Sequence, residues 1–232
     1  MNIRERLSPN HNERPGPVDM LILHYTGMAS AAAALDRLCD PAAKVSAHYL
    51  IEEDGTVWRL VPEEARAWHA GVSFWAGRRD INGHSIGIEL VNPGHDFGYR
   101  PFPDAQMAAL ESLARAILAR HPIPPRHVLG HSDVAPRRKI DPGELFDWPR
   151  LARAGIGFWP DFAAKPGRIP VDIPEIHTEL AKIGYEIPQN APADTQITPA
   201  ITAFQRHFRP SACDGVPDSE TRARIALVAS GV

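Results

Sequence analysis

Two short strand-like runs in this chain end in a histidine: Val18–Leu23 leads into His24, and "RHVLG" leads into His131. Short continuous apolar runs mark strands buried on both faces, and such strands exist only where a sheet is covered on both sides. A third run, "SIGIELV", carries Glu89 inside an otherwise apolar segment. A chain that hangs ionisable side chains on buried strands is constrained to a layered fold with a cleft at the strand ends.

Helical patterns alternate with these runs. Ser30 is placed to cap an Ala-rich helix running to about Leu38, and Asp40-Pro41 stops it because the residue before proline is pushed out of the helical region. Met107, Leu110, Ala114, Ile117 and Leu118 recur at helical spacing behind Asp104 as the expected N-cap. Between them, Ala47–Glu52 and Thr56–Val61 flank Asp54-Gly55, a strong hairpin signal. The predicted fold class is α/β, a central mixed sheet flanked by helices.

A Pro- and Gly-rich stretch follows, and then three helical patterns: "IPEIHTELAKIGY", "ITPAITAFQRHF" and a last one capped by Asp218. The expected organisation is a first domain over residues 15–160, a linker over 161–173 and a small three-helix domain over 174–230.

Composition excludes several partners. A net charge of -3 gives no basic field for counterion release, so nucleic acid is not expected. No run of about 18 apolar residues is present to insert into a bilayer. Cys39 and Cys213, one in each expected domain, lack the clustering of a disulfide scaffold and read as free thiols. The segment "MNIRERLSPNHNERPG" has no apolar signal stretch, so the expected compartment is the cytoplasm. A native start site carrying a signal would instead place the protein in the periplasm or at the outer membrane.

His24, His131 and Asp141 offer two imidazoles and a carboxylate, a donor set that suits Zn2+ with one position left open. Taken alone, each has another reading: a histidine satisfied at the edge of a core, or an Asp-Pro-Gly turn. Lys139, two residues before Asp141, reads by itself as a solvated charge. Glu89 is more informative. Strand alternation lets it face a cleft while Ile88 and Leu90 face the core, and a partly dry carboxylate near a metal suits a general base.

The segments "LILHYTG", "VSAHYLIEEDGTVWRLV", "AWHAG", "SIGIELVN", "VLGHSDVAPRRKIDPG" and "FDWPRLA", in order across roughly residues 15–160, resemble the zinc-dependent N-acetylmuramoyl-L-alanine amidases. That family also includes bacteriophage amidase-lysozymes and animal peptidoglycan recognition proteins. The aspartate third ligand is similar to the Gram-negative branch, whereas phage members use cysteine. The resemblance implies zinc on His24, His131 and Asp141, with Glu89 as catalytic carboxylate and Lys139 beside the ligand loop. For His69 it implies a substrate role near the cleft, a structural hydrogen bond being the other reading, and for His48 it implies structural support. Residues from about 172 to 230 resemble a helical peptidoglycan-binding domain, in which Tyr185, Phe204 and Phe208 read more readily as core than as sugar contacts.

The implied reaction is hydrolysis of the amide between N-acetylmuramic acid and L-alanine of the stem peptide, on peptidoglycan fragments that include 1,6-anhydro-muropeptides. The alternatives are an exported wall-remodelling amidase and a binding protein without catalysis.

Overall fold

The computed structural model describes residues 2–162, 171–188 and 193–231, with the side chains of 193–196 set aside. Most of the expected linker, residues 163–170, lies outside the described residues. In chain order the elements are β1 (Ile3–Glu5), β2 (His11–Glu13), β3 (Met20–Tyr25), α1 (Ala31–Cys39), β4 (Tyr49–Ile51), β5 (Val57–Arg59) and β6 (Ala65–Ala67). They continue with α2 (Ile81–His84), β7 (Ser85–Leu90), α3 (Gly94–Phe97), α4 (Asp104–Arg120), β8 (Val128–Gly130), α5 (His131–Val134) and α6 (Trp148–Arg153). The last are α7 (Ile173–Ile183), α8 (Ala193–Phe208) and α9 (Ser219–Ser230).

The main sheet has the order β1-β5-β4-β7-β3-β8, antiparallel only between β4 and β5, and β2 pairs with β6 beside it. This is the mixed sheet expected. The Asp54-Gly55 turn closes the β4–β5 hairpin, with Gly55 at φ 87°, a conformation glycine adopts without steric cost. Ser30 caps α1 by accepting from the Ala33 amide, and Asp218 caps α9 by accepting from the Thr221 amide. Asp104 is not a cap: Pro103 occupies that position, and the Asp104 carboxylate instead meets Arg150 at 2.7 Å.

Side-chain alternation on β3 separates two layers. Leu21 and Leu23, with Ile86, Ile88 and Leu90 of β7, pack against Met107, Leu110, Leu113 and Ile117 of α4. Met20 and Ile22, with Leu129 of β8, face the other way and share one core with Leu180, Ile201, Phe204 and Ile225 of the C-terminal helices. The apolar face opposite α4 is thus covered by residues more than 40 positions away in sequence. Tyr185, Phe204 and Phe208 are all buried there.

Glu63 fastens the end of α4 to β4. Its carboxylate accepts from Tyr49 Oη at 2.7 Å, Arg120 at 2.6 Å and His121 Nε2 at 2.7 Å. Burial alone would raise its pKa, but these donors hold it down at about 2. A depressed carboxylate pKa stabilises the fold fully above the ordinary value of 4.5 and ceases to do so as the pH falls through about 2. Glu63→Gln should therefore cost about 1–3 kcal/mol at neutral pH. In urea denaturation the gap to the parent should narrow below pH 4.5 and nearly close at about pH 2. A gap independent of pH would show that shape, not charge, makes Glu63 matter.

Candidate metal centre

Parallel pairing brings the strand ends together. In the β3–β7 register His24 stands opposite Glu89, and in the β3–β8 register Leu23 stands opposite Gly130, so His131 emerges one residue past β8 beside His24. Ligand sites of parallel sheets form at these carboxyl ends, where side chains from adjacent strands converge above the last hydrogen bonds. Asp141 comes from the loop beyond α5, held there by its carbonyl, which accepts from the Ser132 amide at 2.9 Å.

His24 Nδ1, His131 Nδ1 and Asp141 Oδ2 form a nearly equilateral triangle with sides of 3.0, 3.1 and 3.1 Å. The hydrogen-bond network fixes which nitrogens carry protons. His131 Nε2–H donates to the Ala70 carbonyl at 3.1 Å, which leaves Nδ1 bare. Ser85 Oγ–H donates to the Ile81 carbonyl at 2.7 Å, so it accepts from His69 Nε2–H at 3.1 Å. His69 Nδ1 is then an acceptor for His24 Nε2–H at 3.0 Å, and His24 Nδ1 is bare as well. Two bare nitrogens 3.0 Å apart repel unless a cation lies between them and the carboxylate. Ligand bonds of about 2.0–2.1 Å in tetrahedral geometry give donor separations near 3.3 Å, close to those seen. Burial and the neighbouring His131 lower the His24 pKa to about 4, so the ring is neutral as a metal requires. Burial also opposes ionisation of Asp141, but the two histidines hold its pKa far below the usual carboxylate range.

Glu89 faces this group from the same side of the sheet, while Ile88 and Leu90 face α4, as the alternation predicts. Its Oε2 is buried without a hydrogen-bond partner. Burial and Asp141 push its pKa well up, and Lys139 opposes them. Lys139 lines the same cleft of about 460 Å³ as Tyr25, Arg37, His69, Glu89 and Asp141.

His69 lines this cleft at 5% exposure and is hydrogen-bonded between His24 and Ser85. The ring fits because position 87 is glycine: a Cβ there would lie 2.5 Å from His69 Cγ. His48 is buried, its Nδ1 accepting from the Gly87 amide at 3.0 Å. Three supporting residues escape sequence reasoning: Ser85, Gly87, and Asn82, whose Oδ1 accepts from the His69 and Ala70 amides at 3.0 and 2.7 Å. Their roles depend on neighbours folded onto them and leave no local pattern.

Fold and site together define an α/β protein with a buried His-His-Asp group able to hold a metal ion. Residues 14–144 match the N-acetylmuramoyl-L-alanine amidase family, and residues 171–225 match a peptidoglycan-binding domain family. The chain belongs to the N-acetylmuramoyl-L-alanine amidase family. It is 40% identical over 226 residues to N-acetylmuramoyl-L-alanine amidase AmiD of Escherichia coli, spanning 89% of this chain and 80% of that protein. It is 37% identical over 167 residues to 1,6-anhydro-N-acetylmuramyl-L-alanine amidase AmpD of Haemophilus influenzae, spanning 63% of this chain and 89% of that protein. Its fold is similar to that of Escherichia coli AmiD in complex with the substrate anhydro-N-acetylmuramic acid-L-Ala-D-γ-Glu-L-Lys. The TM-score is 0.83 at 37% identity, covering 97% of this chain and 93% of that one. It is also similar to Pseudomonas aeruginosa AmpDh3 in complex with anhydromuramic pentapeptide, with TM-score 0.80, 37% identity, and 95% and 93% covered.

Proposed function

We propose that the chain hydrolyses the amide joining the lactyl group of N-acetylmuramic acid to L-alanine of the stem peptide. Its substrates include 1,6-anhydro-muropeptides, its metal is zinc, and its role is peptidoglycan recycling or turnover. The observation that carries this reading is the triangle of two bare imidazole nitrogens and one carboxylate oxygen beside a buried, unpartnered Glu89 oxygen.

His24, His131 and Asp141 would hold the zinc, which when bound polarises a carbonyl and lowers the pKa of water. Glu89 takes a proton from the attacking water as the new C–O bond forms. It returns that proton to the amide nitrogen as the C–N bond breaks, releasing the peptide amine and the lactyl carboxylate. The Lys139 ammonium stabilises the negative charge that develops on the carbonyl oxygen. His69 holds His24 in the tautomer that leaves Nδ1 free, a supporting role of the kind that orients metal ligands.

We also propose the two-unit organisation of residues 15–160 and 174–230 joined through 161–173. The match of residues 171–225 to a peptidoglycan-binding family keeps polymeric wall in view as a second target. No helix among the described residues is long and apolar enough to cross a membrane. Incubation with soluble anhydro-muropeptides and with intact sacculi tests the substrate reading: faster release of stem peptide from the soluble fragments supports recycling, and release from sacculi alone contradicts it. Cell fractionation decides between a cytoplasmic recycling enzyme and an exported remodelling one.

A further inference from the structure

α5 begins with His131, and the turn is fixed at its start by Asp133, whose Oδ2 accepts from the Gly130 amide at 2.8 Å. Asp133 is 1% exposed, and among the described residues no lysine or arginine forms an ion pair with it. Its other donors come from the C-terminal helices. Tyr185 Oη, just beyond α7, donates to Oδ1 at 2.7 Å, and His207 Nδ1–H, near the end of α8, donates to Oδ2 at 2.8 Å.

Both donors are locked in place by packing. Tyr185 stands edge-on to Trp75 at 5.0 Å between ring centres, and the adjacent Gly184 lies so close that a Cβ would sit 2.6 Å from the Trp75 ring. His207 is stacked between Trp148, at 3.7 Å and 16°, and Phe208, at 4.1 Å and 7°. A buried carboxylate must fill its lone pairs, so loss of these donors leaves Asp133 to find others by moving the turn on which it sits. His131 is two residues away on that turn.

We propose that Tyr185 and His207 are positioning residues for the metal centre: acting through Asp133, they hold the turn that aims His131 Nδ1 at His24 and Asp141. The C-terminal helices thereby complete the catalytic site. This proposal rests on reading His131 as a metal ligand.

The test compares the full-length parent with Tyr185→Phe, His207→Phe and the double variant, the phenylalanine at 207 keeping the ring stack while removing the donor. Zinc affinity is measured by competition with a chelator, ligand geometry by the visible spectrum of the cobalt-substituted protein, and folding by near-ultraviolet circular dichroism. The double variant should stay folded, lose about 10-fold in zinc affinity and shift its cobalt spectrum, with KM for a soluble muropeptide unchanged and kcat reduced. A folded double variant with parental zinc affinity and cobalt spectrum overturns the proposal. If the double variant does not fold, Tyr185→Phe alone decides it, since it deletes one oxygen atom: parental affinity and spectrum there count against the proposal, and weakened zinc supports it. Failure of the parent itself to bind zinc is a separate outcome, and it rejects the ligand reading before any variant is made.

Discussion

His131→Ala should yield a folded protein that neither retains zinc through purification nor hydrolyses muropeptides. The substitution removes one corner of the triangle and leaves His24 Nδ1 and Asp141 Oδ2 3.1 Å apart, two donors where a structural or catalytic zinc requires at least three. The turn itself should persist, because Asp133 and the Ser132–Asp141 backbone hydrogen bond hold it without the imidazole. A metal held there would supply several kcal/mol of charge stabilisation, so activity should fall by roughly 10³-fold or more. Elemental analysis of the parent should give about one zinc per chain, as the one such group of donors among the described residues implies. Full activity in a parent preparation stripped of metal would contradict the assignment.

Glu89→Gln should separate proton transfer from metal binding. Glutamine matches the shape of Glu89 and preserves its place between Ile88 and Leu90 on β7, but it cannot accept and return a proton. The side chain already has one buried oxygen free of partners, so the change breaks no hydrogen bond at that atom. Zinc content and thermal unfolding should stay close to the parent while kcat falls by about 10²–10⁴-fold, the usual range for a general acid–base group. Turnover at the parent rate would send the search for the base elsewhere in the cleft.

Of the candidate site, His24, Glu89 and His131 were legible because each lies in or directly after a strand-like run that also marks the fold, whereas Asp141 and Lys139 sit in a loop and stood out only through the family motif. Val18–Leu23 and "SIGIELV" read as buried strands since parallel strands covered on both faces lose the polar alternation of exposed ones, so His24 at the end of the first and Glu89 inside the second stand out. Ser30, Asp54-Gly55 and Asp218 announce element ends through local hydrogen bonds and backbone preference. By contrast β1, β2 and β6 are three residues each, and β2 is wholly exposed. They exist through partners far off in sequence, Ile3 opposite Val57 and His11 opposite Ala67, so no window around them shows a strand. Asp133 is the sharpest case. In sequence it is one more acidic residue in a loop, and its meaning comes from donors 52 and 74 positions away.

His69 shows how a motif fixes a residue's importance before its role. A histidine in "AWHAG" between strands is compatible with touching substrate, and the packing of its ring over Gly87, bonded on both sides, is visible only once β7 and β3 lie side by side.

The claim that this site cleaves the lactyl–L-alanine amide is tested most directly by mass spectrometry of products formed from an anhydro-muramyl tripeptide in water enriched in oxygen-18. Attack at that carbonyl predicts one heavy oxygen in the carboxylate of the released anhydro-muramic acid, a free tripeptide amine without label, and neither product in the Glu89→Gln reaction over the same time. Label in a carboxylate of the peptide fragment, or an intact lactyl amide after complete conversion, would contradict it.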